Sequence, residues 1–465
     1  MVNIDFSKPE KVYFVGIGGI SMSGLAVILK RAGFDVAGSD RDHSEVTENL
    51  EKEGIRVFYG QKKENITEDI DVIVLTAAIH KDNPEYIRME ELGIPHISRA
   101  ELLGQLMKNY RTSVAISGTH GKTTTTSMIS EILLACKDAD PTISVGGMLP
   151  SIGGNIRVGG DKYFVTEACE YTNSFLDFFP DIALILNVEE DHMDFFKDLE
   201  DVRHSFRKFA QLVPENGTVI INSHIENSEY FTKGLKCSVL TFGLDREDGK
   251  APDYTADGIT YDEMGNPSFD VICKGEKAAN VNLSVPGEHN ILNALAAFAF
   301  ADAAGVPRDV TAGALGGFGG TDRRFQKKGI IGDGVILIDD YAHHPTEIRA
   351  TMKAALAMEH GDLWVVFQPH TYTRTKAFFD DFADALSLAD KVVMADIYAA
   401  RETDTLGINS EMLSEAIKKK GTDSYYFDSF EKIENFLRQN CQKGDVLITM
   451  GAGDVYKIGD SLLGG

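Results

Sequence analysis

The sequence predicts an α/β protein of three successive domains, each built on a mostly parallel sheet. Three observations predict it. Short β-branched runs alternate with longer amphipathic segments, the grammar of β-α-β units and of a sheet covered on both faces. That alternation restarts with strand, glycine loop and helix near residue 113, and resumes once more after residue 321. The 465 residues suffice for about three domains at roughly 150 residues each.

Composition narrows the class. Hydrophobic residues make up 43% and charged residues 25%, the mix of a globular protein rather than a disordered or collagen-like one. With 46 Lys+Arg against 71 Asp+Glu the net charge is −25. Such a chain repels polyanions, so neither nucleic-acid binding nor adhesion to anionic membranes is expected. A small anionic ligand remains compatible, because local cations and backbone N–H groups outweigh the distant field. Five scattered cysteines, Cys136, Cys169, Cys237, Cys273 and Cys441, form neither a metal knuckle nor a complete disulfide framework. No apolar run approaches the ~20 residues of a membrane span. The N-terminus lacks a leader-like apolar run. A cytoplasmic protein without membrane insertion is expected.

The elements follow in order. Lys11–Val15 reads as a strand, followed by a glycine cluster and a helix over Ser23–Ala32. Asp35–Ala37 and Val72–Leu75 read as further strands and Pro84–Leu92 as a helix. A helix over Arg99–Asn109 leads into the strand Ser113–Ser117, so the first domain is placed at residues 1–108. The second domain, 109–320, repeats strand, loop and helix at Val114–Ile116, Gly118–Lys122 and Thr123–Ala135. Strands follow near Tyr163–Glu167 and Ile182–Val188. The stretch Asp245–Asn282 alternates like β-hairpins, and a helix over Asn290–Ala304 closes the block. Gly313–Thr321 reads as a linker. The third domain, 321–465, shows strands Gly334–Asp339, Leu363–Phe367, Val392–Ala395 and Val446–Thr449. Helices are expected over Thr346–Met358, Lys376–Leu388, Ser410–Lys420 and Phe430–Asn440.

Two loops are suited to anions. Gly16-Ile17-Gly18-Gly19-Ile20-Ser21 joins a strand to a helix, and Asp40 ends the next strand, where a carboxylate can hold a ribose hydroxyl. Ser21 replaces the third glycine of a dinucleotide fingerprint. Gly118-Thr119-His120-Gly121-Lys122-Thr123 has P-loop chemistry: glycine backbone for phosphates, Lys122 for the terminal phosphate and the Thr123 hydroxyl for Mg²⁺. Its spacing is not the standard one, since Ile116 stands where the first glycine belongs. Glu167-Ala168-Cys169-Glu170 ends one strand and Glu189-Glu190-Asp191-His192 another, at the sheet edge where ligands bind in doubly wound sheets. Their carboxylates are candidate Mg²⁺ ligands. His192 is open between ligand and supporting residue, because Mg²⁺ prefers oxygen. Asp339–Pro345 and Gln368–Thr375 place paired histidines after strands, and Arg323 and Arg324 follow the linker, placed to bring positive charge into an interdomain cleft. His289 and Asn290 begin a helix, as caps or as adenine contacts.

Together these motifs resemble the Mur ligase family. The matching stretches are GIGGISMSGLA (16–26), GTHGKTTTT (118–126), EACEYTNSF (167–175), NVEEDHMDFF (187–196), GEHNILNALAA (287–297), RRFQ (323–326), DDYAHHPTE (339–347), QPHTYTRT (368–375) and GAGD (451–454). They run in the family's order along nearly the whole chain. The resemblance implies a Rossmann-like first domain, a central P-loop ATPase-type domain and a Rossmann-like C-terminal domain. It implies ligation of L-alanine to the lactyl carboxylate of UDP-N-acetylmuramate through an acyl phosphate, with ATP as co-substrate, in peptidoglycan-precursor synthesis. The UDP-sugar would meet Gly18, Gly19, Ser21 and Ser23 at its diphosphate and Asp40 at its nucleoside. ATP would lie on Gly118, Thr119, His120, Gly121, Lys122, Thr123 and Thr124, with Asn290, Arg324 and Asp340 completing the pocket. Mg²⁺ would be held by Thr123, Glu167 and His192. His343, His370 and Arg374 would face the muramyl carboxylate and the incoming alanine. Lys122, Glu167, His192, His343 and Arg374 are the implied catalytic set. The chain departs from many relatives at Glu170-Tyr171-Thr172, where an acidic run is common, and at Thr371, where an arginine is common.

Overall fold

The computed structural model describes residues 2–76, 78–244, 251–400, 402–403 and 406–464. Three sheets divide them. The first holds β1 (Lys11–Val15), β2 (Asp35–Asp40), β3 (Arg56–Tyr59), β4 (Val72–Leu75) and β5 (His96–Ser98), parallel in the order β3-β2-β1-β4-β5. Helices α1 (Ile20–Arg31), α2 (Glu45–Lys52), α3 (Pro84–Leu92) and α4 (Arg99–Met107) cover it. Alternate residues of β1 serve opposite faces: Val12 and Phe14 join one apolar core, Tyr13 and Val15 another. Ser44 with Thr47, and Ser98 with Glu101, close capping boxes at the starts of α2 and α4.

The central sheet holds β6 (Thr112–Ser117), β7 (Thr142–Leu149), β8 (Gly154–Arg157), β9 (Tyr163–Glu167), β10 (Ile182–Ile185), β11 (Thr218–Asn222), β12 (Ser238–Phe242), β13 (Tyr254–Tyr261), β14 (Pro267–Cys273) and β15 (Glu276–Asn282). Their order is β15-β14-β13-β12-β11-β10-β6-β9-β7-β8, and only β8, β14 and β15 pair antiparallel to their neighbours. Helices α5 (Lys122–Ala135), α6 (Leu199–Ala210), α7 (Glu229–Thr232), α8 (Glu288–Ala303) and α9 (Arg308–Gly317) belong to this domain. β6 pairs parallel with both β10 and β9, and the strand order reverses there, so the loop after β6 opens between the ends of β9 and β10.

The third sheet runs β16-β17-β21-β18-β19-β20. Its strands are β16 (Gln326–Ile331), β17 (Val335–Asp340), β18 (Leu363–Phe367), β19 (Lys391–Met394), β20 (Asp423–Tyr426) and β21 (Val446–Met450), with β16 alone antiparallel. Helices α10 (Pro345–Leu356), α11 (Tyr372–Ala377), α12 (Phe379–Leu386), α13 (Ser410–Lys419), α14 (Phe430–Asn440) and α15 (Tyr456–Gly464) flank it. This α/β architecture of three domains is the one the sequence predicts.

Three local expectations change. The stretch expected as a linker, Gly313–Thr321, is helical as far as Gly317, because α9 buries Thr311 and Leu315, four residues apart, against its own domain. The helix expected over Lys376–Leu388 is two helices broken at Phe378, whose backbone (φ −112°, ψ 28°) leaves the helical region. The hairpin stretch begins its strands at Tyr254, and its first residues, 245–250, lie outside the described residues. The five cysteines are all free. Among the described residues no helix is long and apolar enough to cross a membrane.

The two interdomain seams differ in kind. One apolar core runs without interruption from Val12, Leu25, Leu102 and Leu106 of the first domain to Phe164, Phe175, Phe206 and Phe209 of the central one. Backbone approaches are close there. A Cβ on Gly24 would stand 1.9 Å from Ile156 Cδ1, and one on Gly104 would stand 2.0 Å from the Asp177 carbonyl oxygen. The C-terminal domain has separate cores on its two sheet faces, and polar side chains join it to the central domain.

Candidate active site

The loop between β6 and α5 is the centre of the site. Gly118 (φ 149°) and Gly121 (φ 82°) take backbone conformations that other residues adopt only with strain, and Gly121 is the N-cap of α5. The first-turn amides of α5 and the helix dipole therefore face the strand ends, ready for an anion. Lys122 Nζ folds back onto the Gly118 carbonyl, the Thr119 carbonyl (3.1 Å) and Glu170 Oε2 (3.2 Å). Burial alone would lower its pKa, but Glu170, Cys169 and Glu167 outweigh burial and raise it, so the ammonium keeps its charge.

β9 and β10 deliver the acidic residues. Glu167 Oε1 accepts the Gly146 N–H (2.5 Å). Glu170 is buried, and its Oε1 has no hydrogen-bond partner among the described residues. Asn187 ties the loop after β10 to the P-loop: its Oδ1 accepts the His120 N–H (2.7 Å) and its Nδ2 donates to the His120 carbonyl (3.0 Å). His192 has a left-handed backbone (φ 55°), stacks on Tyr171 at 4.5 Å between ring centroids and lies 3.7 Å from Asp191 Oδ2. Burial lowers its pKa, favouring the neutral ring.

The C-terminal domain closes the site from the ends of β17 and β18. Asp340 is buried, accepts the amides of Phe325 (3.0 Å) and Ala342 (2.7 Å), and is pushed by burial up to about 6. Arg324 reaches Thr123 Oγ1 of the P-loop (3.5 Å). Arg323, expected to bring charge into the cleft with it, does not. It pairs with Asp339 (2.9 Å), donates to the Gly451 carbonyl (2.6 Å) and lies over Tyr341 and Tyr456, so it fixes the sheet end instead. Between the two domains lies a cavity of about 180 Å³. His120, Gly121, Thr124, Asn290, Arg324 and Asp340 line it, together with apolar Leu186, Phe242 and Phe318. Asn290 does not cap its helix. Gly287 holds that place, and the Asn290 amide donates to the Pro286 carbonyl (2.7 Å). His289 lines the cavity as a neutral ring, pushed down to about 4 by burial and by Arg324.

Arg374 follows the left-handed Thr371 (φ 67°), which is the N-cap of α11. Its guanidinium crosses the seam to Asp191 Oδ1, through Nε (3.2 Å) and Nη2 (2.9 Å), while Nη1 faces His370 Nδ1 (3.2 Å). Burial alone would raise the Asp191 carboxyl, but Arg374 and His192 hold it well below the usual carboxylate range. His370 and His343 are both pushed down to about 4 by burial, and their rings lie 5.9 Å apart, edge to face.

The first domain's glycine loop is a separate station. Asp40 Oδ2 accepts the Gly18 N–H (2.8 Å), Ser23 Oγ donates to the Ile20 carbonyl (2.9 Å), and Gly19 is the N-cap of α1. Arg99 donates to Ser21 Oγ (3.1 Å), placing a cation beside the loop.

The sequence motifs single out neither Glu347 nor Arg99, and mark Asp191 and Glu170 only as members of acidic clusters. Glu347 lies four residues beyond His343 in the first turn of α10, and only its position at a helix start hinted at a role. Its Oε1 is 3.3 Å from His120 Nδ1, and Glu189 Oε2 is 3.5 Å from His120 Nε2. A neutral imidazole carries one N–H, so a ring between two carboxylates is stabilised as the imidazolium. Burial opposes that charge, yet the two carboxylates raise His120 to about 9. His120, Glu189 and His344 also have donor atoms within 4.8 Å of one another. His344, however, uses both ring nitrogens, on the Thr346 amide (3.3 Å) and the Glu190 carbonyl (3.1 Å). The cluster is an ion-paired joint.

Comparison with known proteins shows the family and the fold. The Mur ligase family catalytic domain matches residues 11–111, the Mur ligase middle domain residues 116–301, and the Mur ligase glutamate ligase domain residues 323–453. The chain is 57% identical over 463 residues to the UDP-N-acetylmuramate--L-alanine ligase of Lachnospira eligens, with all of both chains covered. It is 55% identical to the protein of the same name from Agathobacter rectalis, again over all of both chains. Among solved structures, the UDP-N-acetylmuramate-alanine ligase of Thermotoga maritima superposes with a TM-score of 0.80 at 30% identity, covering 98% of each chain. Three matched domains and full-length relatives of this identity mean that the chain belongs to the Mur ligase family.

Proposed function

We propose that the chain joins L-alanine to the lactyl carboxylate of UDP-N-acetylmuramate at the expense of ATP, through an acyl phosphate, in peptidoglycan-precursor synthesis. The observation that carries this reading is the single contact network linking an anion-binding P-loop to an Arg–His cluster across one seam. The domain roles proposed are UDP-sugar binding for 1–108, ATP binding for 109–320 and amino-acid and ATP contacts for 321–465.

ATP would lie in the cavity between the second and third domains, with its phosphates over the first turn of α5. Phosphate oxygens would take over the Lys122 protons now spent on two loop carbonyls, leaving Glu170 to hold the ammonium from behind. Arg324, already at Thr123, adds a second cation. Mg²⁺ suits the oxygen donors of Thr123 and Glu167, and the orphaned Glu170 Oε1 marks a place where a hard cation would find a partner. His192 would complete the set, and the ion would neutralise phosphate charge when bound.

The lactyl carboxylate attacks the γ-phosphoryl group, and ADP leaves. The alanine amine then attacks the acyl carbon and expels phosphate. The attacking amine must be neutral. His343 Nδ1 lies 3.0 Å from the Tyr341 carbonyl, which can only accept, so Nδ1 carries the proton and Nε2 is a free base. Arg374 would grip the alanine carboxylate. Gly18, Gly19, Ser21 and Ser23 would face the UDP-sugar diphosphate and Asp40 the nucleoside. The test mixes protein, ATP, Mg²⁺, UDP-N-acetylmuramate and single amino acids and measures phosphate release. Release that needs both the UDP-sugar and L-alanine is expected. Equal release without them overturns the reading.

A further inference from the structure

We infer that Glu347 is a positioning residue that couples the nucleotide pocket to the amino-acid site; the inference rests on the ligase reading above. A carboxylate largely withdrawn from water is costly unless its oxygens are partnered, and the Glu347 side chain is 13% exposed. Glu347 divides its partners by side. Oε1 faces the nucleotide half: His120 Nδ1 of the P-loop at 3.3 Å and Arg324 Nη1 at 3.9 Å. Oε2 faces the acceptor half: it accepts the His343 backbone N–H at 3.0 Å and lies 3.2 Å from His343 Nδ1. His343 in turn packs edge to face on His370, which touches Arg374.

The two oxygens belong to one rigid plane on the first turn of α10, so they cannot move independently. His120 and Arg324 both line the nucleotide cavity. When phosphates on the P-loop take up Arg324 or displace the His120 ring, the load on Oε1 changes. The carboxylate then re-aims, and the backbone and ring of His343 follow through Oε2. Nucleotide occupancy thereby sets the position of the proposed base and of the groups that meet alanine. By linkage the effect is reciprocal for binding.

The experiment is calorimetric titration of L-alanine into the full-length protein holding UDP-N-acetylmuramate, with and without a non-hydrolysable ATP analogue. In the unaltered protein the analogue should change the alanine Kd by at least about fivefold, the lower end of ordinary coupling. Glu347→Gln keeps the shape but removes the charge, and should bring that ratio to within about twofold of one. A role confined to folding would weaken both ligands without abolishing their coupling. Glu347→Asp, which keeps the charge on a shorter arm, should retain part of the ratio, and it carries the test if Glu347→Gln does not fold. An unaltered ratio in either folded variant, or no coupling in the unaltered protein, overturns the inference. Phosphate release by the unaltered protein tests the ligase reading separately.

Discussion

The seam between the first and central domains and the seam between the central and C-terminal domains solve the same problem with opposite chemistry. The first is an apolar core closed by Gly24 and Gly104, where even one methyl group has no room. The second is polar, with the ion pairs Arg374–Asp191 and His120–Glu347 and the hydrogen bonds of Thr346 to the Glu189 carboxylate and of His344 to the Glu190 carbonyl. Apolar contact is non-directional and is lost as soon as water enters, so it fixes two bodies together. Polar contacts can be exchanged for a ligand's charges at modest net cost. The contrast teaches where a ligand can be accommodated by exchange of partners: at the polar junction, where the cations Lys122, Arg324 and Arg374 are held by protein oxygens that an anionic ligand can replace.

Four experiments test that contrast. The largest effect is expected at the polar seam. Arg374→Ala removes the fork and leaves Asp191 buried without its cation, so alanine-dependent kcat/KM should fall by roughly 2–5 kcal/mol. Arg374→Lys should fall between it and the unaltered protein, because a point charge cannot reproduce two directed bonds. A KM for alanine that stays unaltered in Arg374→Ala removes this residue from the site. Next, Lys122→Ala should lower kcat by at least about 10²-fold, in line with losing one electrostatic stabiliser. An unchanged kcat would reduce Gly118–Thr123 to a turn.

At the apolar seam, Gly104→Ala should cost about 1–3 kcal/mol of global stability in urea unfolding, as overpacking does. The KM for alanine in the folded fraction should stay unaltered; a selective change in that KM would mean that the first seam also reports to the acceptor site. The smallest effect is in pH. His343 and His370 are lowered from 6.5 to about 4, so their contribution is present above pH 6.5 and is lost as pH falls toward 4. His120 is raised from 6.5 to about 9, so its contribution is present below 6.5 and is lost as pH rises through 9. Hydrogen exchange of the first turn of α10 should therefore be slowest near pH 6.5, after correction for the intrinsic rate. The interior of α4, at the apolar seam, should vary less. Equal profiles at both places would erase the contrast.

Much of the fold was legible because it depends on local rules. The strands Tyr163–Glu167 and Leu363–Phe367 and the helix Phe430–Asn440 fall where the alternation of apolar residues puts them. The Gly313–Gly317 stretch has the composition of a linker yet is helical, because glycine propensity is weak against the burial of Leu315. The break at Phe378 left no mark in composition.

The sequence by itself determined the order of the three β-α-β blocks, the two glycine loops and the placing of the acidic and histidine clusters at strand ends. All of these follow from neighbours along the chain and from the shared edge of a parallel sheet. Only the tertiary structure decided what each charge faces. It set Arg324 at Thr123 but Arg323 at Asp339, 16 residues further along. It brought Arg374 to Asp191 across 183 positions and set His120 between Glu189 and Glu347. The physical reason is range: backbone preference acts within a turn, whereas a buried charge takes whichever partner the packed domains bring within reach.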